Sequence, residues 1–167
     1  VRAHDIVLSI LNMRTAGATA ENERVTAQAL FLLADVAQAG QEWQAASNWL
    51  DQVSSPEDMP TVVYKRAVLL GKQGFEKSGF ALLDTLAQDT PQEVRIKMAT
   101  KVQWLREFEQ YEQAYQQLAR MGEQFPNDPD LMYERAMLAE QLGNYDDMER
   151  LLRLVIQIKP DFDHAYN

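Results

Sequence analysis

The sequence lacks several features that mark common classes of protein. It contains no cysteine among its 167 residues, which excludes disulfides, thiolate metal sites and cysteine nucleophiles. Only 7 glycines and 6 prolines occur, whereas an all-β sandwich needs a turn about every ten residues. No apolar run approaches the roughly 18–20 residues required to cross a bilayer. We therefore expect neither a β-sandwich nor direct membrane insertion by this segment.

Basic residues are also scarce. There are 16 lysines and arginines against 25 acidic residues, and the net charge is −9. This balance repels the phosphates of nucleic acids and anionic lipid surfaces, so no nucleic-acid partner is expected. Apolar residues nevertheless make up 46% of the chain, which is ordinary for a folded protein of about one domain.

Residue patterns for catalysis, cofactors and metals are missing as well. The two histidines, His4 and His164, lie near opposite ends and share no pattern with a serine or carboxylate. The pair Gly71 and Lys72 lacks the upstream glycine of a phosphate-binding loop. Residues 127–130 are rich in oxygen ligands but do not follow the spacing of a calcium loop. We therefore predict no catalytic residue, no cofactor, no metal site and no enzymatic activity.

What the sequence does contain is a repeat. Four similar stretches occur, each a short polar turn followed by a helical pattern with a small residue or methionine and then leucines. They begin at Gly40, Gly74, Glu109 and Gly143, with spacings of 34, 35 and 34 residues. Prolines at Pro91, Pro126 and Pro160 follow nearly the same period. A period of this length indicates a stack of two-helix units.

The repeat resembles the tetratricopeptide repeat family. In its best copy, which starts at residue 130, Met132 takes the place of the family's tryptophan and Ala136 that of its small residue. Tyr145 matches the aromatic residue that opens the second helix, Pro160 closes the unit, and Ala139 departs from the family's tyrosine. The resemblance covers residues 27–162. It implies an all-α fold, an α-α superhelix built as a right-handed stack of antiparallel helix pairs.

We expect one array across residues 1–167. The full repeats are predicted at 27–59, 60–94, 95–128 and 129–162. Residues 3–13 carry apolar side chains at helical spacing and are predicted to form the second helix of a preceding repeat, while 163–167 begin a further one. Residues 15–22 are the least patterned and are predicted to be a loop. Both ends look cut from a longer protein, so a signal peptide or lipid anchor would lie outside this segment.

Several single residues have predicted structural roles. Glycine adopts a left-handed backbone freely, so the positions where a first helix must end and reverse are predicted to use it: Gly40, Gly74 and Gly143. A capping residue before a first-turn proline predicts the start of a helix, at Thr90-Pro91 and Asp128-Pro129. Small residues that let two helices approach are expected at Ala34, Ala67 and Ala136.

The resemblance also implies where a partner binds. The inner, first helix of each repeat presents set positions to a groove, and the fifth position holds Phe31, Tyr64, Ala99 and Tyr133. Neighbouring groove candidates are Asp35, Lys72, Gln103, Arg106, Met137 and Glu140. Aromatic side chains give a large contact area at low entropic cost, which suits peptide recognition. If the register differs by one residue, the same aromatics are ordinary packing residues.

The sequence thus predicts a non-catalytic scaffold that binds a peptide or protein through a concave face. A narrower resemblance lies in residues 131–137, 148–153 and 164–167, which are similar to long tetratricopeptide proteins of the Gram-negative envelope. It implies an adaptor for a protease or assembly complex and favours the periplasm or outer membrane over the cytoplasm. The alternative is a purely architectural spacer, or a segment that forms a homodimer through its exposed terminal repeats.

Overall fold

The computed structural model describes residues 20–160, with side chains from Glu23 onward. The predicted helix at 3–13, the start of a further repeat at 163–167, and both histidines lie outside the described residues.

Between residues 20 and 160 the chain forms eight α-helices and no strand. They are α1 (Ala20–Ala39), α2 (Trp43–Asp51), α3 (Met59–Lys72), α4 (Glu76–Leu82), α5 (Pro91–Glu107), α6 (Tyr111–Gln124), α7 (Pro129–Gln141) and α8 (Tyr145–Ile158). Short 3-10 turns at Pro56–Asp58 and Leu83–Thr85 precede α3 and follow α4. The predicted all-α fold of helix pairs is confirmed.

The chain divides into two compact units, Val1–Leu86 and Ala87–Asn167. Helices α1–α4 belong to unit 1 and α5–α8 to unit 2. Within each pair a short turn joins two helices that pack along their lengths, so the partners run antiparallel. In unit 1 the pairs pack on one another through α2 and α3, and in unit 2 through α6 and α7.

The first helices begin at Ala20, Met59, Pro91 and Pro129, against predicted repeat starts at 27, 60, 95 and 129. The predicted loop at 15–22 was wrong in its last residues, because Ala20 to Asn22 lie in α1. Ala20 and Glu21 favour the helix, and no glycine or proline interrupts it there.

The turn inside each helix pair has the same geometry four times. One residue has a left-handed backbone: Gln41 (φ 59°), Gly74 (φ 91°), Glu109 (φ 55°) and Gly143 (φ 73°). The N–H of the next residue donates to the carbonyl five residues earlier at 2.8–2.9 Å, as from Glu42 to Ala37 and from Asn144 to Ala139. This is the Schellman ending of a helix. The prediction for Gly40 was wrong, because the turn lies one residue later and places Gln41 in the left-handed position.

Small residues lie where the helices approach most closely. Ala34, Ala67 and Ala136 are buried as predicted. Gly79 of α4 is also buried, and a β-carbon there would lie 2.5 Å from the carbonyl oxygen of Ala67. Large side chains such as Leu118 fill the remaining space.

An arginine before the small residue of the first helix ties that helix to the preceding pair. Arg66 of α3 pairs with Asp51 of α2, and its Nη1 lies 3.4 Å from the Ser47 hydroxyl. Arg135 of α7 donates to the Tyr115 hydroxyl of α6 at 3.1 Å. These two contacts repeat the same connection, once in each unit.

Both predicted helix caps are confirmed. The Thr90 hydroxyl accepts from the Glu93 N–H at 3.2 Å, and the Glu93 carboxylate accepts from the Thr90 N–H at 3.0 Å. The Asp128 carboxylate accepts from the N–H groups of Asp130 and Leu131 at 3.0 and 3.2 Å. Each cap satisfies backbone donors that the first turn of a helix leaves without a partner.

Candidate functional site

Unit 1 carries four of the predicted partner-binding residues, on its two first helices α1 and α3. Phe31 and Tyr64 are half-buried, whereas Asp35 and Lys72 are exposed. Phe31 also packs against the hydrophobic core of unit 1. Part of its ring is therefore structural, and the remainder faces solvent.

The structure adds Lys65, which the sequence analysis missed. Its Nζ lies 2.6 Å from Asp35 Oδ1 and 5.6 Å from the centre of the Phe31 ring. This lysine therefore joins α3 to α1 and brings Phe31 and Asp35 into one cluster. No local pattern predicts the contact, because Lys65 and Asp35 are 30 residues apart.

Unit 2 carries the other five predicted residues, on α5 and α7. Tyr133 and Met137 of α7 are half-buried and lie one helical turn apart, so they share a face of the helix. Gln103 and Arg106 of α5 and Glu140 of α7 are exposed.

The carboxyl group of Glu134 on α7 is influenced by charged residues of α5 and of the start of α7. Partial burial raises the pKa of its carboxyl group above the ordinary value of 4.5, and the positive charges of Arg106 and Arg95 oppose that rise. The nearby carboxylates of Asp130 and Asp128 raise it further. The predicted Arg106 therefore acts electrostatically on Glu134, next to the predicted Tyr133. Sequence reasoning missed Glu134 because it is not one of the family's groove positions.

The oxygen-rich stretch at residues 127–130 is occupied by structural contacts. Beyond capping α7, the Asp128 carboxylate pairs with Arg95 of α5 at 2.6 Å. The Arg95 guanidinium also lies 5.5 Å from the centre of the Phe125 ring. Within the part of the chain that the structure describes, no three histidine or acidic side chains are grouped closely enough to hold a metal ion.

We call the surfaces that carry the predicted residues the first-helix faces, on α1 and α3 in unit 1 and on α5 and α7 in unit 2. The two faces have similar chemistry. Each has a half-buried tyrosine, Tyr64 or Tyr133. In unit 1 the opposite charges of Asp35 and Lys65 form an ion pair, and in unit 2 the charge of Arg106 acts on Glu134 and lowers its pKa. Such surfaces offer apolar contact area and hydrogen-bonding groups to a second molecule. Of the helices between residues 20 and 160, none is long and apolar enough to cross a membrane.

Comparison with known proteins identifies tetratricopeptide repeat sequences that are similar to this chain. A model of the tetratricopeptide repeat family matches residues 105–167. A TPR repeat-containing protein of Pseudomonas aeruginosa is 28% identical over 137 residues, which are 82% of this chain and 23% of the relative. The chain thus spans less than a quarter of that relative's length.

Solved structures with a similar arrangement of helices include YrrB, described as a TPR protein with an unusual peptide-binding site. It is 17% identical, with a TM-score of 0.47 over 87% of this chain and 75% of that one. MamA from Desulfovibrio magneticus is 13% identical, with a TM-score of 0.46 over 84% of this chain and 79% of that one.

Three observations agree with a similarity to the tetratricopeptide repeat family. The sequence repeats about every 34 residues, the described chain consists of helix pairs with one turn geometry, and the family model matches the C-terminal part. Residues 105–167 are thus similar to the tetratricopeptide repeat family, and the repeat and the helix pairs in the rest of the described chain agree with that similarity.

Proposed function

We propose that this chain is a non-catalytic scaffold that binds a peptide or protein through the first-helix faces of its two units. Tetratricopeptide repeat proteins generally bind protein or peptide partners and are typically non-catalytic. The observation that carries the proposal is the pair of half-buried tyrosines, Tyr64 and Tyr133, at equivalent positions of α3 and α7.

A half-buried tyrosine suits this role for a physical reason. Its ring is held in part by the protein, so little conformational freedom is lost when a partner covers the rest. In unit 1 the neighbouring Lys65 and Asp35 are already paired, so covering the face does not bury an isolated charge. Phe31 and Met137 extend the apolar area in unit 1 and unit 2, respectively.

The test uses the unsubstituted protein at its full length, called the parent below. We expect Tyr64→Ala and Tyr133→Ala to reduce, by at least about tenfold, the recovery of proteins that the immobilised parent retains from a lysate of its host. The matched control is Tyr145→Ala, which removes an exposed tyrosine from the second helix α8. Circular dichroism should show unchanged helicity in all three variants. If both test variants retain the same proteins in the same amounts as the parent, the faces do not bind.

We further propose that the parent acts at the bacterial envelope, as an adaptor for a protease or an assembly complex. The support is the resemblance in residues 131–137 and 148–153 to envelope proteins of this family, together with the Pseudomonas relative. Fractionation of cells that express the parent should recover it with the outer membrane or periplasm. Recovery in the cytosol alone would contradict this role.

Exposed apolar side chains favour a second candidate function, an architectural segment that self-associates. Val25, Leu32 and Val36 lie along one stripe of α1, and Leu32 and Val36 are 62% and 68% exposed. If this role holds, the chain forms dimers at micromolar concentration, and Leu32→Lys makes it monomeric without changing which proteins it captures. Light scattering after size-exclusion chromatography distinguishes monomer from dimer. The control is Lys77→Ala, which changes an exposed side chain on α4.

A further inference from the structure

We infer that unit 2 contains a second binding site, a cleft bounded by α6, α7 and α8 that accepts an aliphatic monocarboxylate. The cleft has a volume of about 370 Å³, within the range of about 300–1,000 Å³ that small-molecule sites occupy. It involves none of the nine predicted partner-binding residues, and the inference does not depend on the proposed scaffold function.

One part of the cleft is apolar. Its walls are formed by side chains from all three helices and the turn between α6 and α7: Leu118, Phe125, Leu131, Met132, Leu151 and Leu154. Gly122 of α6 also lines it, and a β-carbon added there would meet no atom within 4 Å. The absence of a side chain at position 122 therefore leaves room for an aliphatic chain.

The other part of the cleft carries two arginines. Arg135 of α7 and Arg150 of α8 both line it, and they share one carboxylate. Arg150 Nε donates to Asp147 Oδ1 at 2.9 Å, while Arg135 Nη2 lies 3.5 Å from Asp147 Oδ2. Arg135 Nε is buried and makes no hydrogen bond. At this end of the cleft, two guanidinium groups therefore stand against one carboxylate, that of Asp147.

The pKa of Arg135 agrees with this arrangement. Burial is the main cause that lowers the pKa of Arg135, and the positive charge of Arg150 lowers it further. A bound anion would offset both effects, because it interacts favourably with the charged form of the arginine. Guanidinium groups also match the planar shape of a carboxylate, with which they form charge-assisted hydrogen bonds.

The remaining charged groups set the direction of the ligand. Glu123 and Asp128 line the cleft where α6 leads into α7, and the Asp128 carboxylate is already paired with Arg95. Asp128 precedes Arg135 by seven residues, about 10 Å along a helix. The carboxylate of the ligand therefore lies at the arginines, and its aliphatic chain extends past Gly122. The Glu123 carboxylate in the same cleft disfavours a dianion such as phosphate more than a monoanion.

The experiment is a titration of the folded chain with sodium octanoate, followed by calorimetry and by amide chemical shifts. We expect saturable binding with a dissociation constant on the order of 1 mM, given the few atoms of the ligand. Octan-1-ol and octylammonium have the same aliphatic chain without the negative charge, and we expect each to bind at least about tenfold more weakly.

Four variants make the test specific. Gly122→Leu should abolish binding by filling the cleft, while Gly122→Ala should retain it. Arg150→Gln, at a side chain that is 54% exposed, should weaken binding about tenfold. Asp147→Asn removes the competing carboxylate and should tighten binding several-fold.

Three outcomes would overturn the inference. They are the absence of saturable octanoate binding, equal affinity for octylammonium, and unchanged affinity in a folded Gly122→Leu variant. If Gly122→Leu does not fold, the opposite changes expected of Arg150→Gln and Asp147→Asn decide the matter, and unchanged affinity in both would reject the site.

Discussion

Gly79 lies directly against the carbonyl group of Ala67, and a β-carbon at position 79 would lie only 2.5 Å from that oxygen. The oxygen belongs to the backbone of α3, so it cannot rotate away as a side chain would. Helices α3 and α4 therefore approach each other closely at this point, and the contact requires glycine on α4.

We expect Gly79→Ala to lower the free energy of unfolding by about 1–3 kcal/mol, because the two helices must move apart. Urea unfolding followed by circular dichroism measures the change. Gly122→Ala is the matched control: position 122 has open space, so the same substitution should raise the free energy of unfolding by about 0.5–1 kcal/mol. If the two substitutions change the free energy of unfolding equally, the backbone of α3 does not lie as close to position 79 as the structure shows.

The left-handed turn residues give a second prediction. Gln41 and Glu109 occupy a backbone conformation that costs a residue with a β-carbon roughly 1 kcal/mol. Gln41→Gly should therefore raise the free energy of unfolding by up to about 1 kcal/mol, and Gly143→Ala should lower it by about as much.

The neighbouring Gly40 serves as the control for this prediction, because its backbone is not left-handed. Gly40→Ala should not be destabilising, and urea midpoints for the three variants are sufficient for the comparison. A loss of stability in Gly40→Ala larger than that in Gly143→Ala would contradict the observed turn register.

Local chemistry explains how much of this fold the sequence could predict. The caps at Thr90 and Asp128 and the buried Ala67 and Ala136 depend on near neighbours or on the repeat period, and all were predicted. The prediction of a left-handed residue at Gly40 is one residue too early, because it depends on glycine as the signal for that conformation. The actual requirement is a hydrogen-bonding geometry that Gln41 meets at an energetic cost.

The candidate site was less predictable. Lys65 and Glu134 stand beside the predicted groove positions, and their roles depend on charges of another helix, Asp35 on α1 and Arg106 on α5. No local pattern encodes such pairings. The faces themselves stay a prediction until a partner is tested.

Lys65 and Asp35 give a third prediction, for the stability of unit 1. A double-mutant cycle with Lys65→Met and Asp35→Asn should give a coupling energy below about 1 kcal/mol, because Asp35 is 51% exposed and water screens the pair. The coupling should weaken further in 1 M salt. A coupling of several kcal/mol, or one insensitive to salt, would mean that the pair is shielded from solvent.

Glu134 gives a fourth prediction, on pH dependence. Its pKa is raised in the folded chain, so the folded state binds this proton more tightly than the unfolded state does. The resulting stabilisation is fully present below the unfolded pKa and is lost as the pH rises through the folded pKa. We therefore compare the free energy of unfolding of Glu134→Gln with that of the unsubstituted protein. The difference, variant minus unsubstituted protein, should be higher at pH 7 than at pH 4.

The same carboxyl group can be titrated directly by NMR through its side-chain carbon. Arg106→Gln should raise the pKa of Glu134 further, because the arginine charge lowers it in the parent. The control is Arg120→Gln, which changes an exposed side chain on α6. It should leave the pKa of Glu134 unchanged. A pKa that falls in Arg106→Gln would show that the two groups are not near each other.

The central claim, that the first-helix faces hold a partner, is tested most directly by photo-crosslinking in the host. A benzophenone amino acid replaces Tyr64 or Tyr133 in the parent protein, and Gln113, exposed on α6, provides the control position. We expect a discrete crosslinked product with the same protein from positions 64 and 133 and none from 113. Products from position 113 alone, or from none of the three positions, would contradict it.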